Sequence, residues 1–442
     1  MARKASVHNL GCKVNAYETR AMEQLLKEAG YEIVPFEPGA DVYVINTCTV
    51  TNIADRKSRQ MLHKAKKMNP DAIVVAAGCY AQTDTEHLTA DPSVDIILGN
   101  NRKKNLLEAI EEFEKERHAH ADVLPILRTK EYEEIGAGQA TDRTRAFVKV
   151  QDGCSQFCTY CIIPYARGRV RSRLPEDVIN EIQTLRNAGY TEVVLTGIHL
   201  SSYGIDFPDK SSSLIDLIRR TAEVPGITRV RLGSLEPGII TEEFAKALAE
   251  IPEICPHFHL SLQSGCDRTL ERMNRKYRTA EYMEKCSLLR TYFDSPALTT
   301  DIITGFPGET QEDFMESYRF VEKVHFFETH IFPYSRRKGT KADRMDGQLP
   351  EQVKKERSAE FIKLNRIRME EYATSFIGKE LEILVEEELT AGDERYYTGH
   401  SREYLTVAVP YDEGLCSGDV VRVKAVRGAW EDLHCNLAGF II

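Results

Sequence analysis

The stretch Cys154-Ser-Gln-Phe-Cys158-Thr-Tyr-Cys161 places three cysteines close together, directly after the apolar run Ala146–Val150. That run is predicted to be a buried strand, so the cysteines lie in the loop that follows it. Three thiolates at this spacing can hold three corners of a [4Fe–4S] cluster. Because no fourth cysteine lies nearby, one iron would stay open for a substrate, as catalytic zinc sites keep a position open. A zinc loop, or three unrelated thiols, is the alternative interpretation.

Alternating strands and helices continue beyond this loop, to about Asn365. The predicted strands are Ala146–Val150, Glu192–Thr196, Arg229–Leu232, His257–Leu260, Leu298–Ile303 and His330–Phe332. The predicted helices are Glu176–Ala188, Leu214–Glu223, Glu242–Glu250, Ala280–Arg290, Gln311–Val324 and the long charged segment Gln352–Ser375. Six β/α units predict an α/β fold with a partial (β/α)6 barrel, whose functional residues lie at the carboxyl ends of the strands.

The first hundred residues alternate in the same way on a smaller scale. The predicted strands are Ala5–Leu10, Ile33–Phe36, Val42–Ile45, Ile73–Ala77 and Ile96–Leu98, with helices at Tyr17–Ala29, Ala54–Met68 and Asn105–Lys115. Short, continuous apolar strands are typical of a parallel sheet that is covered on both faces. The sequence therefore predicts an open parallel α/β sandwich at the N-terminus.

Two other regions have a different character. The polar segment 119–140, with Gly136 and Gly138, is predicted to be a linker. Beyond Gly378 the helical pattern disappears, and three strand-like segments predict a small all-β domain: Leu381–Val385, Leu405–Val409 and Val420–Val426. The predicted division is therefore 1–118, a linker at 119–140, a barrel domain at 141–376 and a β domain at 377–442.

A second set of cysteines is dispersed over the N-terminal region. Cys12, Cys48 and Cys79 each follow a different predicted strand of the sheet. The carboxyl ends of parallel strands share one edge, which is where ligands bind in open α/β sheets. Any one of these thiols alone would more often be buried and structural. Because all three end at the same edge, we interpret them as the ligands of a second cluster with an open iron.

Composition narrows the class of protein. The chain has 442 residues, a net charge of −10 and eleven cysteines. Disulfide frameworks belong to short secreted domains, so metal or catalytic roles are favoured for cysteines here. The remaining five, Cys255, Cys266, Cys286, Cys416 and Cys435, show no ligand spacing and are interpreted as core or surface thiols. No stretch is long and apolar enough for a membrane span or a signal peptide, which predicts a cytoplasmic protein.

Two basic runs offer local RNA-binding faces in spite of the negative net charge. The first contains Arg143, Arg145, Lys149, Arg167, Arg169, Arg171 and Arg173. The second contains Arg56, Lys57, Arg59, Lys64, Lys66 and Lys67 with no acid among them. The alternative interpretation of either run is a solvated surface.

Taken together, these motifs resemble the radical S-adenosylmethionine methylthiotransferase family. The matching motifs are Leu10-Gly-Cys12-Lys13-Val-Asn15, Asn46-Thr-Cys48, Gly78-Cys79, the Cys154–Cys161 loop and the β tail. The resemblance implies an N-terminal methylthiotransferase domain, a radical barrel and a C-terminal RNA-binding TRAM domain. Within the family, Gly11–Thr19 resembles the branch that acts on N6-threonylcarbamoyladenosine at position 37 of tRNA. The isopentenyladenosine branch usually reads Gly-Cys-Gln-Met-Asn there, and the ribosomal-protein branch Gly-Cys-Pro-Lys-Asn.

The resemblance also implies cofactors and partners. It implies two [4Fe–4S] clusters, held by the catalytic cysteines Cys12, Cys48 and Cys79 and by Cys154, Cys158 and Cys161. The resemblance implies that S-adenosylmethionine binds the cluster held by Cys154, Cys158 and Cys161 and is cleaved there to a radical. Another molecule of S-adenosylmethionine supplies the methyl group. The implied partners are the anticodon loop of tRNA at adenosine 37 and an electron donor such as flavodoxin or ferredoxin, with no membrane. The alternatives are an enzyme acting on isopentenyladenosine or on a protein residue, and a non-catalytic Fe–S RNA-binding protein.

Polar residues and glycines at the ends of the barrel strands are candidate contacts for S-adenosylmethionine. Gly197 would let the backbone approach the methionine end of the cofactor closely. An arginine after the sixth strand could hold a phosphate or the cofactor carboxylate. The candidates are Gly197, Ser234, Glu236, Ser261, Gln263, Asp301 and Arg337.

Overall fold

A six-stranded parallel sheet forms the N-terminal part of the computed structural model, which describes residues 2–136, 144–428 and 433–442. Its strands are β1 (Lys4–Asn9), β2 (Glu32–Ile33), β3 (Val42–Thr47), β4 (Ile73–Gly78), β5 (Ile96–Leu98) and β6 (His120–Asp122), in the order β2-β1-β3-β4-β5-β6. The helices are α1 (Lys13–Glu28), α2 (Asn52–Met68), α3 (Cys79–Thr83), α4 (Thr85–Thr89) and α5 (Leu106–Glu116). Apolar clusters cover both faces of the sheet, which explains the unbroken apolar strands.

Two details of this sheet differ from the prediction. The expected strand 33–36 shortens to the two-residue edge strand β2, because Pro35 has no N–H to donate to a ladder. Part of the expected linker 119–140 is strand β6, which pairs in parallel with β5. A three-residue strand carries too few residues for an alternating pattern to be visible. Gly138, Asp142 and Arg143 lie outside the described residues.

The central region is the expected partial barrel. Its parallel strands are β7 (Arg145–Asp152), β9 (Glu192–Gly197), β10 (Arg229–Leu232), β11 (His257–His259), β12 (Ala297–Thr304) and β13 (Glu328–Pro333), with a short strand β8 (Arg171–Ser172) antiparallel to β7. The helices are α6 (Ile163–Arg167), α7 (Pro175–Asn187), α8 (Leu214–Ala222), α9 (Glu242–Ala249), α10 (Asp267–Arg272), α11 (Thr279–Tyr292), α12 (Gln311–Val324) and α13 (Glu351–Thr374). A parallel bridge between Leu235 and Leu260 joins the β10 side to the β11 side.

A closed five-stranded, TRAM-like barrel forms the C-terminal region. Its strands are β14 (Glu380–Ala391), β15 (Glu394–Ser401), β16 (Thr406–Pro410), β17 (Val420–Arg427) and β18 (Leu437–Ile441). Tyr404 stacks on His257 with ring centroids 4.2 Å apart, and Arg231 lies 5.0 Å from the Tyr404 ring. The small barrel therefore closes the amino end of the large one, opposite the cysteine loop. Among the described helices, none is both long and apolar enough to cross a membrane.

The first basic run is not the RNA-binding surface that the sequence suggested. Lys149, Arg167, Arg171 and Arg173 are buried, and within this run only Arg169 is an exposed cation among the described residues. Buried cations need carboxylate partners, and here Asp152 from within the run and Glu18 from the distant helix α1 supply them. The run therefore belongs to the interior between the N-terminal sheet and the barrel.

Candidate active site

A tight bend positions the Cys154–Cys161 loop at the carboxyl end of β7. Gly153 has φ +72°, and a Cβ there would lie 1.9 Å from the carbonyl oxygen of Arg169. Only glycine fits such a close approach of two backbone segments. The backbone N–H of Cys154 donates to the Gly168 carbonyl, and that of Cys161 donates to the Cys158 carbonyl, both at 3.0 Å. These bonds hold the three cysteines of the loop together.

Burial dominates the electrostatics of these thiols. It raises the pKa of Cys154 to about 11 and that of Cys161 to about 12, and the neighbouring Cys158 adds to both increases. Without a metal, Cys154 and Cys161 are therefore protonated at neutral pH. Iron binding must displace these protons, because the thiolate is the form that ligates a metal.

Arg275, from the segment between α10 and α11, brings a positive charge to this loop. Its Nη1 lies 3.4 Å from the Cys158 sulfur, and its Nη2 donates to both carboxylate oxygens of Glu236, at 2.7 and 2.9 Å. Glu236 also approaches His199 Nε2, at 3.6 Å. A fixed positive charge beside a thiolate favours its ionised, metal-binding form.

The dispersed cysteines also come together, as the topology predicted. Cys12 lies shortly after the end of β1, and Cys48 and Cys79 directly follow β3 and β4. A Cβ on Gly11 would lie 3.1 Å from the Cys48 sulfur, so the first loop passes directly over Cys48. Burial, together with the adjacent Cys79 and Cys12, raises the pKa of Cys48 to about 11. Three strands thus deliver three thiols to one edge.

A buried charge network connects the two cysteine sets. Glu18 on α1 receives ion pairs from Lys149 (2.7 Å), Arg167 (2.8 Å) and Lys103 (3.2 Å), and none of these four side chains is more than 1% exposed. Lys149 and Arg167 also pair with Asp152, at 2.7 and 3.1 Å. The network therefore fastens α1, which follows Cys12, to α6, which follows Cys161.

The same network reaches the sulfur atoms. Asn15 accepts from Arg167 Nη2 at 2.6 Å, and its Oδ1 lies 3.8 Å from the Cys12 sulfur. Asn100 Nδ2 lies 3.5 Å from the Cys79 sulfur. Burial lowers the pKa of Arg167, but Cys79 and the paired carboxylates outweigh burial and raise that pKa well above its usual value. Through Asn15, the Arg167 guanidinium is thus connected to the N-terminal cysteines as well as to its carboxylate partners.

A cavity of about 280 Å³ lies between the Cys154–Cys161 loop and the segment that follows Cys48. Cys161 and Tyr160 line one side, and Val50 and Thr51, which follow Cys48, line another. Asp301 contributes a carboxylate to its wall. A ligand in this cavity would contact both cysteine loops at once.

The barrel candidates occupy varied positions. Asp301 and Gln263 line the cavity, and Gln263 has φ +70°, a conformation that costs energy for a residue other than glycine. The carbonyl of Ser261 accepts from Arg275 at 3.2 Å, so Ser261 lies beside the cysteine loop. Ser234 is exposed beyond β10.

Two candidates contact protein groups instead of an open site. A Cβ on Gly197 would lie 2.9 Å from Gln151 Oε1, so this glycine makes room for Gln151. The guanidinium of Arg337 is held by Asn52 and Thr49, with both hydrogen bonds 2.7 Å long, and pairs with Asp55, also at 2.7 Å. Arg337 thus ties the end of β13 to the loop after Cys48.

Comparison with known proteins identifies the family. Residues 4–99 match the family described as Uncharacterized protein family UPF0004, and residues 148–321 match the Radical SAM superfamily. The chain is 44% identical over 424 residues to the threonylcarbamoyladenosine tRNA methylthiotransferase MtaB of Bacillus subtilis (strain 168), across 96% of this chain and 94% of that protein. The chain belongs to the radical S-adenosylmethionine methylthiotransferase family. A tRNA-2-methylthio-N(6)-dimethylallyladenosine synthase of Thermobifida fusca (strain YX) is 35% identical over 439 residues, across 97% of this chain and 88% of that protein.

Solved structures agree on the fold. The radical S-adenosylmethionine methyltransferase TsrM from Kitasatospora setae superposes with a TM-score of 0.53 at 17% identity, over 75% of this chain and 73% of that chain. Membership in the radical S-adenosylmethionine superfamily implies a [4Fe–4S] cluster and S-adenosylmethionine as cofactors.

The donor sets of this methylthiotransferase suit clusters better than single ions. The three sulfurs of a tetrahedral zinc site lie close around one ion. Among the described residues, the groups whose ligand atoms converge within 4.8 Å are His259–Asp301–His330 and Cys266–Asp313–Glu316, and neither cysteine triplet is among them. The thiolates of a cubane attach to different irons and stand further apart. Neither triplet, as folded, is as closely spaced as the ligands of a single ion.

Sequence reasoning missed Arg275, His199 and the buried network. Arg275 and His199 carry no motif, and only folding brings them to the loop. Arg167 had a visible signal, since it follows the cysteine loop in a run of arginines, but that run was interpreted as surface. Because burial depends on partners such as Glu18, the run alone could not reveal it.

Proposed function

We propose that this enzyme inserts a methylthio group at C2 of N6-threonylcarbamoyladenosine at position 37 of tRNA, giving 2-methylthio-N6-threonylcarbamoyladenosine. The observation that carries the proposal is the cavity lined by Cys161 of one triplet and by the segment that follows Cys48 of the other. Two relatives named as threonylcarbamoyladenosine tRNA methylthiotransferases support the choice of substrate. This chain is 44% identical to one and 42% identical to the other. The relative named as a dimethylallyladenosine synthase, at 35%, marks the second candidate substrate.

We further propose that each triplet holds one [4Fe–4S] cluster, which makes two per chain. Cys154, Cys158 and Cys161 would hold the cluster that binds S-adenosylmethionine, whose reductive cleavage supplies the radical needed at an unactivated aromatic C–H. Cys12, Cys48 and Cys79 would hold the cluster from which sulfur reaches the base. Arg275 and Arg167 would offset the negative charge of the thiolates, since each guanidinium lies beside one triplet.

The second basic run suits the RNA partner. Arg56, Lys57, Lys64 and Lys67 are exposed on α2, which begins next to the cavity residues Val50 and Thr51. Phosphate contacts by such cations supply sequence-independent affinity for nucleic acid. We propose that α2 binds the anticodon arm while base 37 enters the cavity, because bases in single-stranded loops can be splayed out.

The electron donor and the compartment follow from the chemistry. Reductive cleavage needs a one-electron donor of low potential, such as flavodoxin or ferredoxin. An enzyme that modifies tRNA would work in the cytoplasm, where its substrate is found.

The deciding experiment separates the two triplets. Anaerobically reconstituted protein is compared with a Cys12→Ala/Cys48→Ala/Cys79→Ala variant, with Cys416→Ala as the control for an exposed thiol. We expect the triple variant to keep about half of the iron and to cleave S-adenosylmethionine, but to form no methylthio nucleoside. Mass spectrometry of nucleosides from tRNA carrying N6-threonylcarbamoyladenosine gives the readout. Methylthiolation by the triple variant would contradict the two-cluster proposal, and a wild-type product found only on dimethylallyladenosine would contradict the substrate.

A further inference from the structure

The inner face of the large barrel carries polar side chains that neither cysteine triplet uses. Side chains alternate across a strand, and Phe258 and Leu298 point outward into the apolar core. Their neighbours His259 on β11 and Asp301 on β12 therefore face the lumen. His330 on β13 stacks with His259, with ring centroids 5.6 Å apart. Since Asp301 also lines the cavity, this cluster lies at the wall of the proposed base-binding space.

The cluster His259–Asp301–His330 has unused hydrogen-bonding capacity. His259 Nε2 lies 3.2 Å from Asp301 Oδ2, but the angle does not allow a hydrogen bond, and this buried nitrogen has no other partner in the described part of the chain. The other ring nitrogen, Nδ1, lies 3.1 Å from Thr299 Oγ1, which fixes the orientation of the ring. A buried polar atom without a partner is costly, so this arrangement suits a polar ligand.

Lys13 is an exposed residue whose ammonium group lies near the ring of Phe147 on β7. Helix α1 packs against the lumen-facing side of β7, and Lys13 Nζ lies 5.8 Å from the centroid of the Phe147 ring. Within the described ranges, no carboxylate oxygen comes within ion-pairing distance of this ammonium group. Burial, Arg231 and Lys13 together lower the pKa of His257 well below its usual value, so the charge of Lys13 is felt at β11.

We propose that Lys13 and the His259–Asp301–His330 cluster form the subsite for an N6 substituent that carries a carboxylate and a hydroxyl group. The inference rests on the proposed function and names its specificity determinant. Lys13 supplies the charge opposite the carboxylate, while the imidazoles and Asp301 pair with the hydroxyl and the urea N–H groups. A dimethylallyl group would leave the buried Nε2 of His259 without a hydrogen-bond partner and would offer Lys13 no opposite charge. Sites built for hydrogen bonding reject such analogues strongly.

Binding of anticodon stem-loops tests the subsite without relying on catalysis. The full-length, reconstituted protein is titrated with stem-loops that carry adenosine, N6-threonylcarbamoyladenosine or its carboxylate methyl ester at position 37. We expect wild type to prefer the free carboxylate over the other two by about 10- to 100-fold. Lys13→Gln should lose that preference, and His330→Ala should weaken it. Lys27→Gln, an exposed change on the same helix, should keep it.

The outcomes distinguish this inference from the proposed function. Because Lys13 follows Cys12, iron content and the cluster spectrum of Lys13→Gln must match wild type, and His330→Ala gives an independent reading away from the cysteines. Equal weakening of all three stem-loops, or an unchanged preference in both variants, would overturn the subsite. A preference that EDTA abolishes and Mn²⁺ restores would also overturn the subsite, since a bound cation would then recognise the carboxylate. If wild type forms no methylthio product on any of these substrates, the proposed function fails instead.

Discussion

Replacing Glu18 with glutamine tests whether the buried network holds the N-terminal sheet to the barrel. Glu18 is fully buried and pairs with Lys103, Lys149 and Arg167, so the substitution removes one negative charge from among three cations. Removing one partner of a buried pair costs about 3–5 kcal/mol, because the remaining charges stay desolvated. Urea unfolding of the metal-free protein should show a loss of this size. Glu28→Gln, at an exposed end of the same helix, should stay within about 0.5 kcal/mol of wild type.

The dependence of this loss on pH provides a second check. Although burial opposes ionisation, Arg167, Lys103 and Lys149 hold the pKa of Glu18 well below its ordinary value of 4.5. A carboxyl group with a lowered folded-state pKa contributes stability above its unfolded pKa and loses it as the pH falls through the folded value. The difference between wild type and Glu18→Gln should therefore be constant near neutrality and shrink below about pH 4.5. A loss of unfolding free energy under about 1 kcal/mol, or a loss that does not change with pH, would refute the reasoning.

Three further changes address the cysteine loop and the docking of the small barrel. Gly153→Ala should abolish iron binding by the loop, because its Cβ would overlap the Arg169 carbonyl at 1.9 Å. The change is made in the variant that lacks the N-terminal triplet, so that only the loop can bind iron. An iron content unchanged by Gly153→Ala in that variant would contradict the prediction. Arg275→Gln should lower the reduction potential of that cluster by about 50–100 mV in an EPR-monitored titration, since a positive charge 3.4 Å from the Cys158 sulfur is lost. An unchanged or higher potential would mean that Glu236 already cancels this charge. Tyr404→Ala should weaken docking of the C-terminal barrel by about 2 kcal/mol, because the contacts of its ring with His257 and Arg231 are lost. Limited proteolysis near residue 376 should then be faster, whereas Tyr396→Phe should leave the rate unchanged.

The elements that carry chemistry were predictable because their patterns are local. The run before Cys154 is apolar and continuous, so strand β7 and its cysteine loop are visible in a window of a few residues. The convergence of Cys12, Cys48 and Cys79 was also predictable, because the parallel arrangement alone places the ends of β1, β3 and β4 on one edge. The six barrel strands were found for the same reason, with their ends shifted by a few residues.

Short or edge elements escaped prediction because they have too few residues to show a period. Strand β6, inside the expected linker, and strand β2, ended by Pro35, are both of this kind. Strand β15 carries Glu394, His400 and other polar residues, and only closure of the small barrel makes it a strand. Tertiary pairing, not local preference, decides such segments.

By itself, the sequence determined which thiols are grouped and which strands deliver them, because spacing and strand order are properties of the chain. Its motifs also carry the resemblance to the radical S-adenosylmethionine methylthiotransferases. Only the tertiary structure decided where the charges lie. Lys149 and Arg167, which look like surface in the sequence, are buried against Glu18, whereas Lys13 stays exposed beside the Phe147 ring. The physical reason is that a charged side chain is buried only where distant partners compensate its lost hydration, and those partners meet only in the folded chain.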